Sequence, residues 1–236
     1  PWAAEETMEA FGGRWPRWRQ LTSTAAHRGL LCFGPTRGPK VTYTNPHRWL
    51  PGFRPDDGEV ALRTLVTRYL YAYGPATPQH FARWLSIPPQ RAVELFDELA
   101  GELEHVELDG APAWTMAGDT STPQRPHRGI RLLGYFDAFV VAGQPRERLY
   151  PGAAATRGLT PAGQAGNYPV LLVDGVVGGV WHQRRSGRKL AITVEPLREL
   201  TATQRRQLDD EVELVGAVME ANPRLTVGTV TVGPHA

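Results

Sequence analysis

The chain has 236 residues, enough for one large domain or two small ones, and 41% of them are hydrophobic and 21% charged, as is typical of folded soluble proteins. No run of about 18 apolar residues occurs, so the sequence predicts no membrane-spanning helix. The formal net charge of +2 is close to neutral, and the single cysteine, Cys32, excludes a disulfide framework and a multi-cysteine zinc site and fits a reducing, cytoplasmic compartment.

The first 56 residues carry the pattern of one helix followed by two short strands. A helix is predicted over 15–26 and strands over 30–34 and 41–44, around a turn rich in proline and glycine. Helix, strand, turn and strand make up the back half of a winged-helix unit. Because no front half precedes them and the chain starts with Pro1, we expect a cleaved or truncated chain.

Residues 57–118 carry three helical patterns followed by a hairpin pattern. Thr77 followed by Pro78 is a preferred start of a helix. Threonine caps the first turn, and proline is tolerated there because the first turn leaves its amide groups without partners in the helix, so the missing N–H costs nothing. The Asp109-Gly110 pair is typical of a two-residue hairpin turn. Three helices and a two-stranded wing predict a winged helix-turn-helix. The predicted elements are helices over 59–73, 78–85 and 89–101 and strands over 105–108 and 114–116.

Residues 119–236 change in character from helices to strands. After a polar linker, the pattern predicts short strands, with tight turns at Asp174-Gly175 and Ser186-Gly187, and one long final helix. The whole sequence therefore predicts an α+β protein of tandem winged-helix units with a C-terminal small curved β-sheet covered by a long helix. The predicted domains are 1–56, 57–118 and 119–236. The C-terminal strands are predicted over 130–133, 138–141, 169–173, 176–181, 189–195 and 224–232, the loop over 144–166, and the helix from 201 or 203 to 221.

Two groups of basic residues are candidates for binding a nucleic-acid backbone. One group joins two predicted strands, where guanidinium groups can donate charge-assisted hydrogen bonds to phosphates; a solvated turn is the alternative. The other group lies at the junction before the first C-terminal strand, where a backbone clamp and a solvated linker are both open. The candidates are His182, Arg184, Arg185, Arg188 and Lys189 in the hairpin, and Arg125, His127, Arg128 and Arg131 at the junction.

Other candidate sites have structural alternatives. The third predicted helix of 57–118 carries Arg91 among four acids, and their repulsion of phosphates argues against base reading by this helix. Trp15 and Trp18 beside arginines are interpreted as core residues, with stacking on bases as the alternative. Asp137 is interpreted as a cap or turn residue, with an activating carboxylate as the alternative. The histidine spacing indicates no metal site.

Four stretches in order along the chain resemble the AlkZ-type winged-helix DNA glycosylases. They are Gly29–Gly34, Tyr71–Leu85, Leu132–Phe139 and Val173–Trp181. The resemblance implies several winged-helix units around a concave basic surface. It also implies excision of alkylated bases, or unhooking of interstrand crosslinks, by N-glycosidic hydrolysis without a metal or other cofactor.

The family's catalytic Gln-x-Gln or Gln-x-Asp motif belongs to its first winged helix, and no Gln-x-Gln occurs in this sequence. Gln207-Leu208-Asp209 has the second spelling, but it lies in the last predicted helix, and we interpret it as a chance match. The region expected to hold the motif would precede Pro1. No catalytic residue is therefore assigned, and whether this chain alone is an enzyme stays open.

Our leading hypothesis is a fragment of a DNA glycosylase acting on alkylated or crosslinked bases, with its catalytic part missing from this chain. Its expected partner is double-stranded DNA, bound without strong sequence preference, and neither a metal, a cofactor nor a membrane is expected. The alternatives are a non-enzymatic winged-helix transcriptional regulator and a protein-interaction module. The sequence does not predict the oligomeric state.

Overall fold

The computed structural model describes residues 2–10, 13–38, 40–108, 110–121, 128–161 and 163–234. Over these residues the protein is a mixed α+β protein with a curled five-stranded sheet and three two-stranded sheets, so the predicted α+β class is confirmed. The chain divides into two compact units, Pro1–Leu62 and Arg63–Ala236. The three domains predicted above stay a prediction. In the described ranges, no helix has the length and apolar character needed to cross a membrane.

In its described residues, the first unit contains two small hairpins with a ten-residue helix between them. The helix ends before Gly29, whose φ of +68° reverses the chain. The sequence predicted that this helix starts at Trp15. It begins at Trp18 instead, because Arg14 and Trp15 belong to a strand that pairs with the preceding one. The elements are β1 (Glu6–Ala10), β2 (Gly13–Pro16), α1 (Trp18–His27), β3 (Cys32–Phe33) and β4 (Tyr43–Thr44), with β1 paired to β2 and β3 to β4.

Three helices and a hairpin follow, in the predicted order. Tyr69 lies at their centre, with its ring 5.3 Å from that of Phe81 and 5.1 Å from that of Trp84. These aromatic contacts and the buried Phe96 hold the helices together. Asp57 caps the first helix by accepting a hydrogen bond from the Glu59 amide at 3.0 Å. The elements are α2 (Gly58–Tyr73), α3 (Pro78–Leu85), α4 (Pro89–Glu98), β5 (Leu103–Leu108) and β6 (Ala111–Met116).

The start of α3 is held by a capping box. The Thr77 hydroxyl accepts a hydrogen bond from the His80 amide at 3.2 Å, and the Thr77 amide donates to Nδ1 of His80 at 3.3 Å. Only a neutral imidazole can accept this second bond. Burial, and next the neighbouring Arg83, lower the pKa of His80 below its ordinary value of 6.5, with Glu147 opposing. The neutral, capping form is therefore the one that the fold stabilises.

Replacement of His80 by glutamine is expected to reduce the loss of stability in mild acid. The pKa of His80 is lower in the folded chain than in the unfolded chain, so the unfolded chain takes up the proton first and folding stability falls as the pH drops below 6.5. Glutamine keeps the acceptor of a capping box but does not titrate. Urea unfolding at pH 8 should agree within about 0.5 kcal/mol for the two proteins. Equal losses of stability between pH 8 and pH 5 would contradict this role of His80.

The last part of the chain forms the curled sheet and its long helix: β7 (Ile130–Leu133), β8 (Val170–Val173), β9 (Val176–Ser186), β10 (Lys189–Pro196), α8 (Ala202–Val218) and β11 (Asn222–Val227). The strand order in the sheet is β11-β10-β9-β8-β7. Neighbouring strands are antiparallel except β10 and β11, which are parallel and are joined by the long helix α8 as their crossover. Thr201 caps α8 by accepting from the Gln204 amide at 3.2 Å.

Helices cover the two faces of this sheet unequally. On one face, Leu208 and Val212 of α8 pack on Ile192 and other buried strand residues, so the predicted long covering helix is present. On the other face, Val140 and Leu149 pack on β8 and the first half of β9. The helices on this second face are short: α5 (Ala138–Ala142), α6 (Arg146–Leu149) and α7 (Ala153–Gly158).

The second covering layer corrects two predictions. Residues 138–141, predicted as a strand, form the helix α5, because the Asp137 side chain accepts a hydrogen bond from the Phe139 amide at 2.9 Å and starts a helical turn. This is the cap role preferred above for Asp137. The predicted loop over 144–166 contains α6 and α7, which bury Leu149 and Ala154 against the sheet.

Candidate nucleic-acid interface

The β9–β10 hairpin continues beyond the strand next to it. β8 pairs with β9 only as far as Val180, whereas β9 runs on to Ser186 and stays paired with β10 throughout. The predicted connection over 182–189 is thus mostly strand, with its turn at Gly187 and Arg188. The far half of the β9–β10 hairpin therefore extends beyond the ends of β7 and β8.

Strand register places part of the hairpin's charge on one face. Side chains alternate between the two faces of a strand, and directly paired residues share a face. Arg184 of β9 pairs with Ala191 of β10, which pairs with Arg224 of β11. Because Ile192 of β10 is buried under α8, these residues lie on the opposite, exposed face. We call this surface, together with Arg188 in the turn that ends the hairpin, the basic face, and define it by His182, Arg184, Arg188, Lys189 and Arg224.

Arg185 points the other way and has internal partners. It pairs with the buried Leu190, so its side chain lies on the α8 side of the sheet. Its guanidinium donates to the carbonyl oxygens of Gly187 and Met219, each at 2.9 Å. Met219 directly follows α8, where helix carbonyls lack partners within the helix. Arg185 therefore ties the end of α8 to the hairpin, and we leave it outside the basic face.

The cations of the basic face are not neutralised by neighbouring acids. Within the ranges that the structure describes, the side chains of Arg184, Arg188, Lys189 and Arg224 have neither an ion-pair nor a hydrogen-bond partner. Glu195 of β10 shares this face, but it lies at the far end and is bound to Arg157. The acids of α8 are on the other side of the sheet: Asp209, Asp210, Glu211 and Glu213.

The junction residues lie away from the basic face. The Gly129 amide donates to Asp174 at 2.9 Å, which puts the neighbouring Arg128 beside the β8–β9 turn, at the opposite end of β9 from Ser186. Arg131 donates to Glu211 at 3.3 Å and to the Ile130 carbonyl oxygen at 2.7 Å. Arg128 is exposed, and a DNA contact by either residue stays a prediction. The other two members of this predicted group, Arg125 and His127, lie outside the described residues.

The remaining candidates have mainly internal contacts. Arg91 of α4 donates to Glu94 at 3.3 Å and to Glu98 at 3.1 Å, so its charge is compensated within its own helix. The Arg19 guanidinium lies 4.1 Å from the ring centre of Trp15, which is half-buried. No group of three potential metal ligands occurs among the residues that could be searched, which are the described ones.

One residue of the basic face, Arg224, was not predicted from the sequence. Arg224 lies 35 positions after Lys189 and has no basic residue beside it, so no local cluster marks it. Its place follows from the parallel pairing of β11 with β10, which sets Arg224 two strands away from Arg184. Adjacent strands are about 4.8 Å apart, so the backbones of the two arginine strands are separated by about 10 Å.

Comparison with known proteins gives a consistent relationship along the chain. The family described as DNA glycosylase AlkZ-like matches residues 2–218. An interstrand DNA cross-link repair glycosylase of Streptomyces sahachiroi is 34% identical over 176 residues, which are 70% of this chain and 46% of that protein. The solved structure of the Streptomyces sahachiroi DNA glycosylase AlkZ has a TM-score of 0.72 and 28% identity, and the match covers 89% of this chain and 58% of that one.

This chain thus spans about half the length of these relatives. The family match nevertheless includes both compact units and continues to the end of α8. On these grounds the chain belongs to the AlkZ-like DNA glycosylase family.

Proposed function

We propose that this chain binds double-stranded DNA through the basic face, as part of a DNA glycosylase that acts on alkylated or crosslinked bases. The observation that carries the proposal is the set of four uncompensated cations of the basic face, with Arg184, Lys189 and Arg224 on one sheet face and Arg188 in the adjoining turn. Contacts of such side chains with phosphates supply affinity that does not depend on base sequence. The related Streptomyces protein is named as an interstrand DNA cross-link repair glycosylase, which supports the substrate class.

We further propose that α2, α3, α4 and the β5–β6 hairpin form a winged helix-turn-helix, and that β3 and β4 are the wing of a preceding unit, within the domains 1–56, 57–118 and 119–236. The order of three helices and a hairpin supports this assignment. The ion pairs of Arg91 with Glu94 and Glu98 disfavour base reading by α4. A role in joining protein units fits this helix better, so the structure does not favour the transcriptional regulator.

No residue of this chain is assigned to the bond-breaking step. The Gln-x-Gln motif does not occur in the sequence, and Gln207-Leu208-Asp209 lies in α8, where Leu208 is part of the core under the sheet. The role proposed for this chain is therefore DNA binding.

The test is fluorescence-polarisation binding of the chain to a labelled duplex over a series of salt concentrations. Four phosphate contacts should give a slope of log K against log salt concentration of about −3.6. Footprinting on a long duplex should show diffuse protection, whereas one defined protected sequence would favour the regulator. Absence of binding at low salt would refute the proposal.

A further inference from the structure

Phe136 has an unusual backbone conformation for a large side chain. Its φ is +55°, in the left-handed region, and it is the third residue of a turn closed by a hydrogen bond from the Asp137 amide to the Gly134 carbonyl oxygen at 3.4 Å. Glycine or asparagine is the ordinary residue at such a position. Phe136 is nevertheless 59% exposed, so the burial of its ring does not offset the cost of this conformation. Backbone strain of this kind concentrates at functional sites.

Contacts on both sides of the turn fix the position of the ring. The Trp181 indole donates to the carbonyl oxygen of Leu133, directly before the turn, at 2.8 Å. Asp137, directly after it, caps α5. The Phe136 ring rests on Gly166, where an added Cβ would lie 2.8 Å from the ring carbons. A side chain at position 166 would therefore displace the ring.

The same contacts place Phe136 beside the basic face. Gly166 lies two residues before Tyr168, which packs with Val180 of β9. Val180 shares a face of β9 with His182, the first residue of the basic face. The raised pKa of Tyr135, caused by burial and then by the nearby Tyr168 hydroxyl, agrees with this placement. Along β9, the cations therefore lie in the far half, and the turn that carries Phe136 lies near the middle, at Val180 and Trp181.

We propose that Phe136 is a wedge that stacks against a base of duplex DNA held on the basic face, and so unstacks that base from its neighbour. Exposed apolar side chains held beside cationic surfaces open base steps in this way, and an aromatic ring can stack on any base. A phenylalanine side chain has only two rotatable bonds, so little side-chain freedom is lost on binding. This inference rests on the proposed function, because the basic face must first bind the duplex.

The test uses a short duplex with one central 2-aminopurine, whose fluorescence rises when it is unstacked. Binding of the unaltered chain should raise the fluorescence, and Phe136→Gly should abolish the rise while its affinity for the fully paired duplex stays within about threefold. A second duplex carries the 2-aminopurine unpaired. Phe136→Gly should bind this duplex about tenfold more weakly than the unaltered chain does, because one stacking contact is lost. Phe136→Trp should restore the affinity for the duplex with the unpaired base, because an indole ring also stacks on a base.

Two controls separate this role from folding. Glycine accepts a φ of +55°, so Phe136→Gly should fold normally. Its unfolding temperature should lie at most a few degrees below that of the unaltered chain. Tyr71→Ala removes a ring that is 77% exposed on α2, a helix that contributes no residue to the basic face, and should leave the fluorescence rise unchanged.

The failures of the two proposals are distinguishable. A chain that binds neither duplex overturns the proposed function, and the inference with it. A chain that binds without a rise in fluorescence, or an equal rise for Phe136→Gly, overturns the wedge alone. An equal loss for Tyr71→Ala would overturn it too, because the effect would then not depend on the position of Phe136.

Discussion

Replacement of the four cations of the basic face by alanine is expected to weaken duplex binding on the order of 10³-fold at 0.1 M salt. Arg184, Lys189 and Arg224 lie on one exposed sheet face and Arg188 lies in the adjoining turn, all without acidic partners in the described part of the chain. If each cation contacts one phosphate, the slope of log K against log salt concentration changes by about 3.6. The electrostatic contribution is small at 1 M salt, so a tenfold dilution to 0.1 M changes the affinity ratio by the stated factor, on the order of 10³. Fluorescence polarisation at several salt concentrations measures both quantities.

The adjacent residues Arg184 and Arg185 provide the matched control. Each single alanine variant removes one positive charge from the same strand, but the two side chains lie on opposite faces. Arg184→Ala should reduce the salt slope by about 0.9, whereas Arg185→Ala should change it by much less. Arg185→Ala should instead lower the free energy of unfolding by about 1 kcal/mol, because the Met219 carbonyl loses its donor. Equal slopes for the two variants would contradict the proposed orientation of the basic face.

Much of the fold was predictable because its signals are local. The start of α3 depends only on the adjacent residues Thr77 and Pro78, and the structure confirms Thr77 as the N-cap and Pro78 as the first helical residue. The Asp174-Gly175 turn is also confirmed, with φ of +56° and +88° at its two residues. Residues 138–141 were wrongly predicted because a short apolar run fits a buried strand or a buried helix equally well. Only the packing of Val140 and Ala142 distinguishes the two.

The face on which each arginine lies could not be predicted. Alternation along β9 assigns faces only if the strand is regular, but the pairing jumps from Leu171–Gly179 to Leu172–Val177. The extra residue, Gly178, forms a bulge that shifts the alternation by one position. The buried residues at the start of β9 therefore do not indicate which hairpin residues face α8. The position of Arg224 was unpredictable for a different reason, since it depends on pairing between strands separated by a long helix.

Arg157→Met is expected to lower the free energy of unfolding by about 2–4 kcal/mol, the second large effect. Arg157 donates to both carboxylate oxygens of Glu195, at 3.1 and 2.9 Å, and to the Val230 carbonyl oxygen at 2.7 Å, while the Val230 amide donates to Glu195 at 2.7 Å. The Arg157 and Glu195 side chains are only 24% and 18% exposed, so the variant leaves a poorly solvated carboxylate without its counter-charge. Urea unfolding measures the loss. Arg205→Met removes a pair with Glu199 that is 63% and 88% exposed, together with a hydrogen bond to the Leu200 carbonyl oxygen at 3.2 Å, and should cost only about 1 kcal/mol.

The pH dependence distinguishes this ion pair from simple loss of packing. The hydrogen bond from Arg157 lowers the pKa of Glu195 below its ordinary value of 4.5. The stabilisation by this pair is therefore complete above pH 4.5 and is lost as the pH falls through the folded-state pKa, because the unfolded chain takes up the proton first. In Arg157→Met this loss on acidification should be smaller, since the carboxylate is no longer held in its charged form. Addition of Glu195→Gln should recover part of the stability at neutral pH, because it removes the buried charge and keeps an acceptor for Val230. If the double variant were less stable than Arg157→Met, the uncompensated carboxylate would not be the source of the loss.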